Sequence, residues 1–459
     1  PFLGVCPPLP FICYPSRCAC AVMENCSMSA ADHFYRAFSV KNLQELYFTK
    51  IKYKPSLGMD RITPQVFEST LDENIKLISE RTLAGTYRFT RYRQVLISKG
   101  RGKEPRVISI PTMRDKLALS ACQRFLRSAF AGVVDESLLH TVIADITKEI
   151  RTGCYDGYVK IDITKFYSTI RHDVLLRKIR RKVYKKEAVQ FLENAITTET
   201  IPATGAAPPR GKNTRGVPEG LSISNILADI YLSDFRQKVC DAFPGVQYYR
   251  YVDDILILCD LGQAETIKKF CIDTLRAEFF LKVNEQKTKA GPLSEGAFFL
   301  GYVFHQKMVS VRPAAKESLE YSIENLFRSR KKKQITQKVF LWKLNLKITG
   351  CILDGKKYGW LFYYSQLNDQ KILFHLDWYI SHLFSRFGFK QPTGLKRFVK
   401  TYHEITKNVS GSSYLFNADR YDITEKRQIL IDIFKRKSDI ENATPQEIEI
   451  WFNEAMFKE

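Results

Sequence analysis

Two apolar segments limit most strongly what this chain can fold into, because one carries an aspartate near a strand end and the other carries two aspartates at a hairpin tip. Apolar and polar residues alternate over 158–163, which predicts a half-buried strand with Asp162 near its end. Residues 247–259 read as strand, turn and strand, with Asp253 and Asp254 at the tip of the predicted hairpin. Aspartate pairs are also common in ordinary turns. If these strands pair, however, the three carboxylates meet at one edge of a sheet.

Three carboxylates at one sheet edge indicate a metal-dependent reaction. Two like charges ~4 Å apart repel by about 1 kcal/mol in bulk water and by about 4 kcal/mol near a protein surface. Divalent cations relieve this repulsion, and Mg²⁺ prefers such oxygen ligands. Two Mg²⁺ ions can activate an attacking 3′-hydroxyl and hold a leaving pyrophosphate. The pattern therefore predicts nucleotidyl transfer.

The charge of the chain predicts a polyanionic partner. The sequence has 459 residues, with 71 Lys and Arg against 49 Asp and Glu, for a formal net charge of +22. No uninterrupted apolar run comes near the roughly 20 residues that span a bilayer, which favours nucleic acid over a membrane. The hydrophobic fraction of 45% excludes a largely disordered chain, and the length predicts two to four subdomains.

The first 27 residues differ from the rest. They begin with Pro1 and hold five of the eleven cysteines, while the other six are scattered singly among apolar neighbours. Scattered apolar cysteines are typical of reduced thiols, and we therefore expect a cytoplasmic protein. No basic stretch precedes the apolar part of residues 1–27, so it does not read as a signal peptide. We expect a non-native or disordered leader, with Met23 or Met28 as initiator.

The order of motifs resembles that of bacterial reverse transcriptases of the group II intron and retron-like lineage. Seven segments are similar to the family's motifs and follow in the same order. They are the early GxDxxT element (57–63), the fingers block (106–116), motif A (162–167), motif B (216–224), motif C (251–254), motif D (281–289) and the primer grip (299–302). The resemblance implies an α+β right-hand polymerase fold with an antiparallel-sheet palm and an all-helical thumb. It places the fingers in 28–155, with 175–215 also near the fingers and palm. The palm, with motifs A to E, would be 156–311, and the thumb and tail 312–459.

The resemblance also implies residue roles at the catalytic centre. Asp162, Asp253 and Asp254 would be catalytic and would bind two Mg²⁺ ions, with the backbone carbonyl of Ile163 as a further metal ligand. The residues implied to bind the nucleotide are Lys99, Arg106, Ile163, Tyr167, Glu219, Gly220 and Lys287.

Several of these nucleotide-site roles have competing explanations. Lys99 and Arg106 would pair with the triphosphate. Tyr167 would exclude a 2′-hydroxyl, although ordinary core packing also explains a tyrosine there. Lys287 would protonate the leaving pyrophosphate, but it reads equally well as a solvated surface lysine. Glu219 stands where the family usually has glutamine, which puts fidelity or the local geometry in question.

Two further segments are predicted to contact nucleic acid. The primer grip would comprise Phe299, Leu300 and Gly301. A basic block follows in the predicted thumb, where phosphate contact competes with a simple solvated helix face. Its residues are Arg328, Arg330, Lys331, Lys332 and Lys333.

Missing motifs narrow the resemblance further. The retron signature Asn-Ala-x-x-His is absent, because Asn194-Ala195 is followed by Ile-Thr-Thr. We expect no endonuclease domain, because little sequence follows the predicted thumb. We also expect no RNase H domain, because the sequence has no separate acidic cluster of the kind that such a domain needs. The sequence is most similar to the "unknown group" of defence-associated reverse transcriptases, and within that group to the type 2 enzymes. That similarity implies a cognate non-coding RNA copied into cDNA from dNTPs, an RNA/DNA hybrid in the enzyme, and a role in anti-phage defence.

Two other functions remain open from the sequence. One is template-independent or protein-primed DNA synthesis, which the 23 tyrosines cannot exclude. The other is a catalytically silent RNA-binding scaffold, which the presence of all three aspartates and the basic fingers residues disfavours. The sequence of any DNA product would separate these functions.

Overall fold

The computed structural model describes residues 28–52, 56–98, 100, 102, 104–134, 138–204, 214–434, 440 and 443–457. The strands within these residues are β1 (Tyr92–Ile97), β2 (Arg106–Ile110), β3 (Gly157–Asp162), β4 (Thr200–Ile201), β5 (Gln247–Tyr251), β6 (Asp254–Cys259), β7 (Lys289–Pro292), β8 (Ala297–Phe299), β9 (Tyr302–His305), β10 (Met308–Val311), β11 (Cys351–Leu353), β12 (Lys356–Tyr358) and β13 (Phe416–Asn417).

The α-helices of the same residues are α1 (Ala30–Ala37), α2 (Val40–Leu46), α3 (Pro64–Ser69), α4 (Leu71–Leu83), α5 (Met113–Ala129), α6 (Leu139–Thr152), α7 (Phe166–Thr169), α8 (His172–Arg180), α9 (Lys186–Thr197), α10 (Ser224–Tyr231), α11 (Phe235–Ala242), α12 (Ala264–Ala277), α13 (Pro313–Lys331), α14 (Gln337–Thr349), α15 (Trp360–Tyr363), α16 (Lys371–Phe387), α17 (Phe398–Lys407), α18 (Ile423–Phe434) and α19 (Pro445–Phe457). A π-helical turn, Tyr47–Ile51, continues α2, and 3₁₀ turns cover Leu261–Gln263, Leu293–Glu295 and Ala418–Arg420. None of the helices placed by the structure is long and apolar enough to cross a membrane.

The chain divides into two compact units. The first unit holds the described residues of 1–135 and 167–233. Its sheet has the order β2-β1-β4, and β1 and β2 pair antiparallel. Helices α1, α5 and α9 bring aromatic rings together in its core, where Phe34 contacts Phe125 and Phe38 contacts Phe191. These rings fix the helices because edge-on aromatic packing adds to simple burial.

The second unit holds the described residues of 136–166 and 234–459. Its larger sheet has the order β5-β6-β3-β7, and each neighbouring pair is antiparallel. The predicted antiparallel palm sheet is therefore present. Its central strand β6 is buried on both faces, with Ile255, Leu256, Ile257 and Leu258 all fully covered. A second antiparallel sheet follows with the order β10-β9-β8.

The expectation of an all-helical thumb needs correction. Helices α13, α14 and α16 do pack around Phe327, Phe340 and Phe384. The same unit, however, contains a small sheet of order β12-β11-β13. Its hairpin turns at Asp354-Gly355, where both residues have positive φ. Asp-Gly is a strong signal for a two-residue hairpin, so the sequence contained the clue. The residue ranges given to fingers, palm and thumb stay a prediction.

Candidate active site

Asp162 and Asp254 face each other across two central strands of the second unit. Asp162 ends β3, Asp254 begins β6, and the two residues are direct partners in the antiparallel register. Directly opposed residues have Cβ atoms about 4.5–5.5 Å apart. The fold thus brings together two carboxylates that are separated by more than ninety positions in the sequence.

Asp253 lies in the two-residue loop that joins β5 to β6. Tyr251 pairs with Asp254, which leaves Val252 and Asp253 as the loop. Val252 has φ of +59°. A left-handed backbone is unusual for a β-branched residue, and such strain costs about 1–3 kcal/mol and clusters at functional sites. The strain is not visible in the sequence, because glycine or asparagine is the residue expected at a left-handed position.

Two lysines balance the charge of these carboxylates. The Lys287 Nζ lies 3.3 Å from Asp162 Oδ1, and the Lys160 Nζ lies 3.7 Å from Asp254 Oδ1. Burial raises the pKa of Asp254, and the positive charge of Lys160 partly offsets that rise. Lys160 was not predicted as a site residue from the sequence. The available signal was its position two residues before Asp162, on the same strand face.

The predicted metal ligands are only partly assembled. Over the ranges that the structure covers, no three His, Cys, Asp or Glu side chains are grouped as a metal-ion site. Asp162 and Asp254 offer opposed carboxylate oxygens, which suit a hard cation. The Ile163 N–H donates to the Asp253 carbonyl at 3.5 Å, so the backbones of these two predicted ligands are adjacent. The donor set fits a divalent cation, with Asp253 outside the opposed carboxylate pair.

Arg106 and Glu219, both in the first unit, form an ion pair. The Ser109 N–H donates to the Glu219 carbonyl at 2.7 Å, which attaches this turn to β2. Gly220 has φ of +102°, and a Cβ there would lie 2.7 Å from Ile108 Cγ2. Only glycine therefore fits this approach of the turn to the strand. Lys99 lies outside the described residues.

Replacing Glu219 tests what this ion pair does. If Arg106 holds the triphosphate, as the resemblance implies, we expect Glu219→Gln to lower the KM for dNTPs by up to about fivefold, because a partly exposed ion pair contributes about 0–1 kcal/mol and the triphosphate would compete with it for Arg106. Steady-state kinetics on one template–primer measures the change, and kcat should hold. Glu68→Gln, which removes the ion pair to Lys52 in the same unit, is the control. A higher KM would instead mean that Glu219 orients Arg106.

Tyr167 is buried, with 8% of its surface exposed. Its hydroxyl donates to Asn225 Oδ1 at 2.6 Å, and both residues belong to the first unit. Asn225 directly follows the motif-B-like segment and was not predicted as a site residue. The contact fixes the ring orientation, which both core packing and a steric gate require.

The predicted primer grip is a tight turn between β8 and β9. Phe299 pairs with Tyr302, so Leu300 and Gly301 form the loop, and both have positive φ. The Tyr363 hydroxyl donates to the Leu300 carbonyl at 3.0 Å. Phe299 is 1% exposed and lies in the core. Contact with a primer at this turn would therefore be left to Leu300 and Gly301.

The basic block lies at the end of α13 and just beyond. Arg328 pairs with Glu324 at 2.7 Å, and Arg330 donates to the Ile335 carbonyl at 3.3 Å. These two arginines are thus engaged within the chain. The three lysines, Lys331, Lys332 and Lys333, are exposed.

Comparisons with known proteins agree with this geometry. Residues 97–304 match the family described as "Reverse transcriptase (RNA-dependent DNA polymerase)". Protein YkfC of Escherichia coli is 24% identical over 292 residues, which cover 53% of this chain and 74% of that protein. The "Putative COX1/OXI3 intron 1 protein" of Saccharomyces cerevisiae is 24% identical over 54% of this chain and 29% of its own length.

The solved structures that match include apo telomerase from Candida tropicalis. It is 15% identical, with a TM-score of 0.42 over 92% of this chain and 82% of that one. The chain spans about three quarters of the E. coli relative but less than a third of the yeast intron protein.

The matched residues include all three aspartates, the β5–β6 hairpin and the turn between β8 and β9. Polymerases of this family generally use divalent metal ions. The chain therefore carries a reverse transcriptase domain, the domain of RNA-directed DNA polymerases, with homology to YkfC and to intron-encoded proteins.

Proposed function

We propose that this protein copies a structured non-coding RNA into cDNA by metal-dependent nucleotidyl transfer, and that this synthesis serves anti-phage defence. The opposed pair Asp162 and Asp254, inside the segment that matches reverse transcriptases, carries the proposal of synthesis. The defence role and the RNA template rest on the motif resemblance alone. The net charge of +22 suits an enzyme that holds both a template duplex and a folded RNA.

The proposed chemistry assigns a task to each part of the site. Two Mg²⁺ ions would be held by Asp162, Asp253, Asp254 and the carbonyl of Ile163, and they would supply charge neutralisation and a lowered pKa for the 3′-hydroxyl. Lys287, already beside Asp162, would donate a proton to the leaving pyrophosphate.

The remaining residues would bind and select the substrates. Lys99 and Arg106 would hold the triphosphate through charge-assisted hydrogen bonds. Tyr167 would exclude the 2′-hydroxyl, and the Glu219–Gly220 turn would contact the nascent base pair. The Leu300–Gly301 turn would contact the primer, and the lysines that follow Arg330 would contact phosphates.

The first experiment is incorporation by the purified protein with its co-purified RNA. It is supplied with Mg²⁺ and either dNTPs or rNTPs, and the products are sequenced. We expect DNA complementary to one defined RNA. Homopolymer or random DNA would replace the proposal with template-independent synthesis. If the folded protein makes no product even with RNA from its native locus, it is a silent scaffold.

A further inference from the structure

The densest basic stretch of the chain lies outside every motif used above. Seven of the ten residues from 177 to 186 are lysine or arginine. They span the end of α8, a short turn and the start of α9 in the first unit. We call this stretch the basic turn. Most of its side chains are exposed, including Arg177, Arg180, Arg181 and Lys186.

Helix electrostatics explain only half of the basic turn. Cations at the C-terminal end of α8 interact favourably with the helix dipole. Lys185 and Lys186, however, are the N-cap and first residue of α9, where positive charge opposes the dipole. Glu187 pairs with Lys185 at 3.5 Å and relieves only part of this cost. A cluster that disfavours its own helix start points to a partner of opposite charge.

An aromatic ring projects from the middle of the basic turn. Tyr184 is 83% exposed, more than any other large hydrophobic side chain that the structure describes. Its hydroxyl donates to the Arg181 carbonyl at 3.1 Å, which holds the ring against the turn. Its neighbours Ile179 and Val183 are fully buried and anchor the turn from below. The exposed ring is thus held by a turn whose apolar side chains are buried.

The basic turn is tied to two neighbouring helices. The Lys185 Nζ lies 4.3 Å from the ring centre of Tyr35 on α1. The Lys182 Nζ lies 5.7 Å from the ring centre of Phe130, which caps α5. Between α1, α2 and α5 runs a groove of about 890 Å³ whose lining includes Arg36, Lys41, Arg124, Arg127 and a single carboxylate, Glu45. Lysine and arginine side chains therefore also line a groove beside α1 and α5, the two helices that the turn contacts.

We propose that the basic turn is a docking surface for folded RNA, with phosphates on its arginines and lysines and an unpaired base stacked on Tyr184. Phosphate contacts dominate such affinity, and one stacked base contributes a further sequence-tolerant contact. The inference rests on the proposed function in taking RNA as the partner. It adds a binding surface that shares no residue with the proposed polymerisation site.

An anionic membrane is the other polyanion that such a surface could meet. Membrane-surface helices insert a broad apolar face beside their cations. The apolar residues of the basic turn, Ile179 and Val183, are buried instead. A single tyrosine among exposed cations is better suited to a nucleobase and its phosphates than to acyl chains.

The test compares two variants of the full chain that each lose four positive charges. The turn variant carries Arg177→Gln, Arg180→Gln, Arg181→Gln and Lys186→Gln, which spares the lysines that contact Tyr35 and Phe130. The control carries Lys76→Gln, Arg81→Gln, Lys269→Gln and Lys307→Gln, all at exposed positions. Fluorescence anisotropy measures binding to a labelled RNA hairpin with an unpaired loop, and thermal melting checks the fold.

We expect the turn variant to bind the hairpin at least about tenfold more weakly than the control, with a log–log salt slope smaller by roughly 3, as the loss of four phosphate contacts implies. Tyr184→Ala should weaken hairpin binding by about fivefold or more and leave a blunt RNA duplex unaffected. Equal binding by the turn variant and the control overturns the proposal. So does a loss confined to phosphatidylserine vesicles, which would assign the surface to membranes.

Extension of oligo(dT) on poly(rA) separates this proposal from the polymerase proposal. We expect the turn variant to extend this short generic template–primer at the wild-type rate. If the wild-type protein makes no DNA on this template or on RNA from its native locus, the proposed function fails, while the hairpin measurement still decides whether the basic turn binds RNA.

Discussion

An Asp253→Ala variant is expected to melt at the wild-type temperature and to lose DNA synthesis by at least about a thousandfold. The loss corresponds to about 4 kcal/mol of transition-state stabilisation, the scale on which metal-binding groups act in phosphoryl transfer. Stability should hold because Asp253 lies in the β5–β6 loop rather than in the core. Primer extension and thermal melting measure the two quantities.

Asp253 is chosen because it lies in the β5–β6 loop, whereas Asp254 begins the central strand β6. Asp254 is half-buried and pairs with Lys160, so its removal would also leave a lysine without its counter-charge. Asp260→Ala is the matched control, since Asp260 is an exposed aspartate directly after the other end of β6. Wild-type synthesis by Asp253→Ala would remove Asp253 from the mechanism.

Tyr167→Ala is expected to lower the discrimination against rNTPs by about ten- to a hundredfold, the scale of a steric contact worth about 1–3 kcal/mol. The ring is buried and its hydroxyl is fixed by Asn225, so a gate at this position would be rigid. Removing the ring leaves space for a 2′-hydroxyl. The measurement is the ratio of kcat/KM for an rNTP to that for the matching dNTP.

Tyr167→Phe separates the gate from core packing. It keeps the ring and loses only the hydrogen bond to Asn225, so we expect it to retain dNTP selectivity. The alanine variant should lose about 3–5 kcal/mol of stability, as large-to-small core substitutions do. A ratio measured within one preparation is insensitive to that loss. Unchanged selectivity in a folded alanine variant would assign Tyr167 to the core alone.

Local sequence patterns were enough to predict the strands of the centre. The alternation of apolar and polar residues over 158–163 predicted β3, because a half-buried strand alternates its side chains, and the strand–turn–strand pattern of 247–259 predicted β5 and β6. The same strands placed Asp162 and Asp254 at strand ends, and the structure decided that the two strands pair.

The tertiary structure alone decided the contacts between distant segments. No local pattern pairs Lys160 with Asp254, Glu219 with Arg106, or the Tyr167 hydroxyl with Asn225, because each contact depends on how separate elements pack. The left-handed φ of Val252 was equally hidden, since valine disfavours that conformation and only the surrounding sheet imposes it. The small sheet of β11 to β13 was missed although Asp354-Gly355 marked its hairpin. Sequence thus determined which residues carry charge and where strands end, whereas packing determined which charges meet.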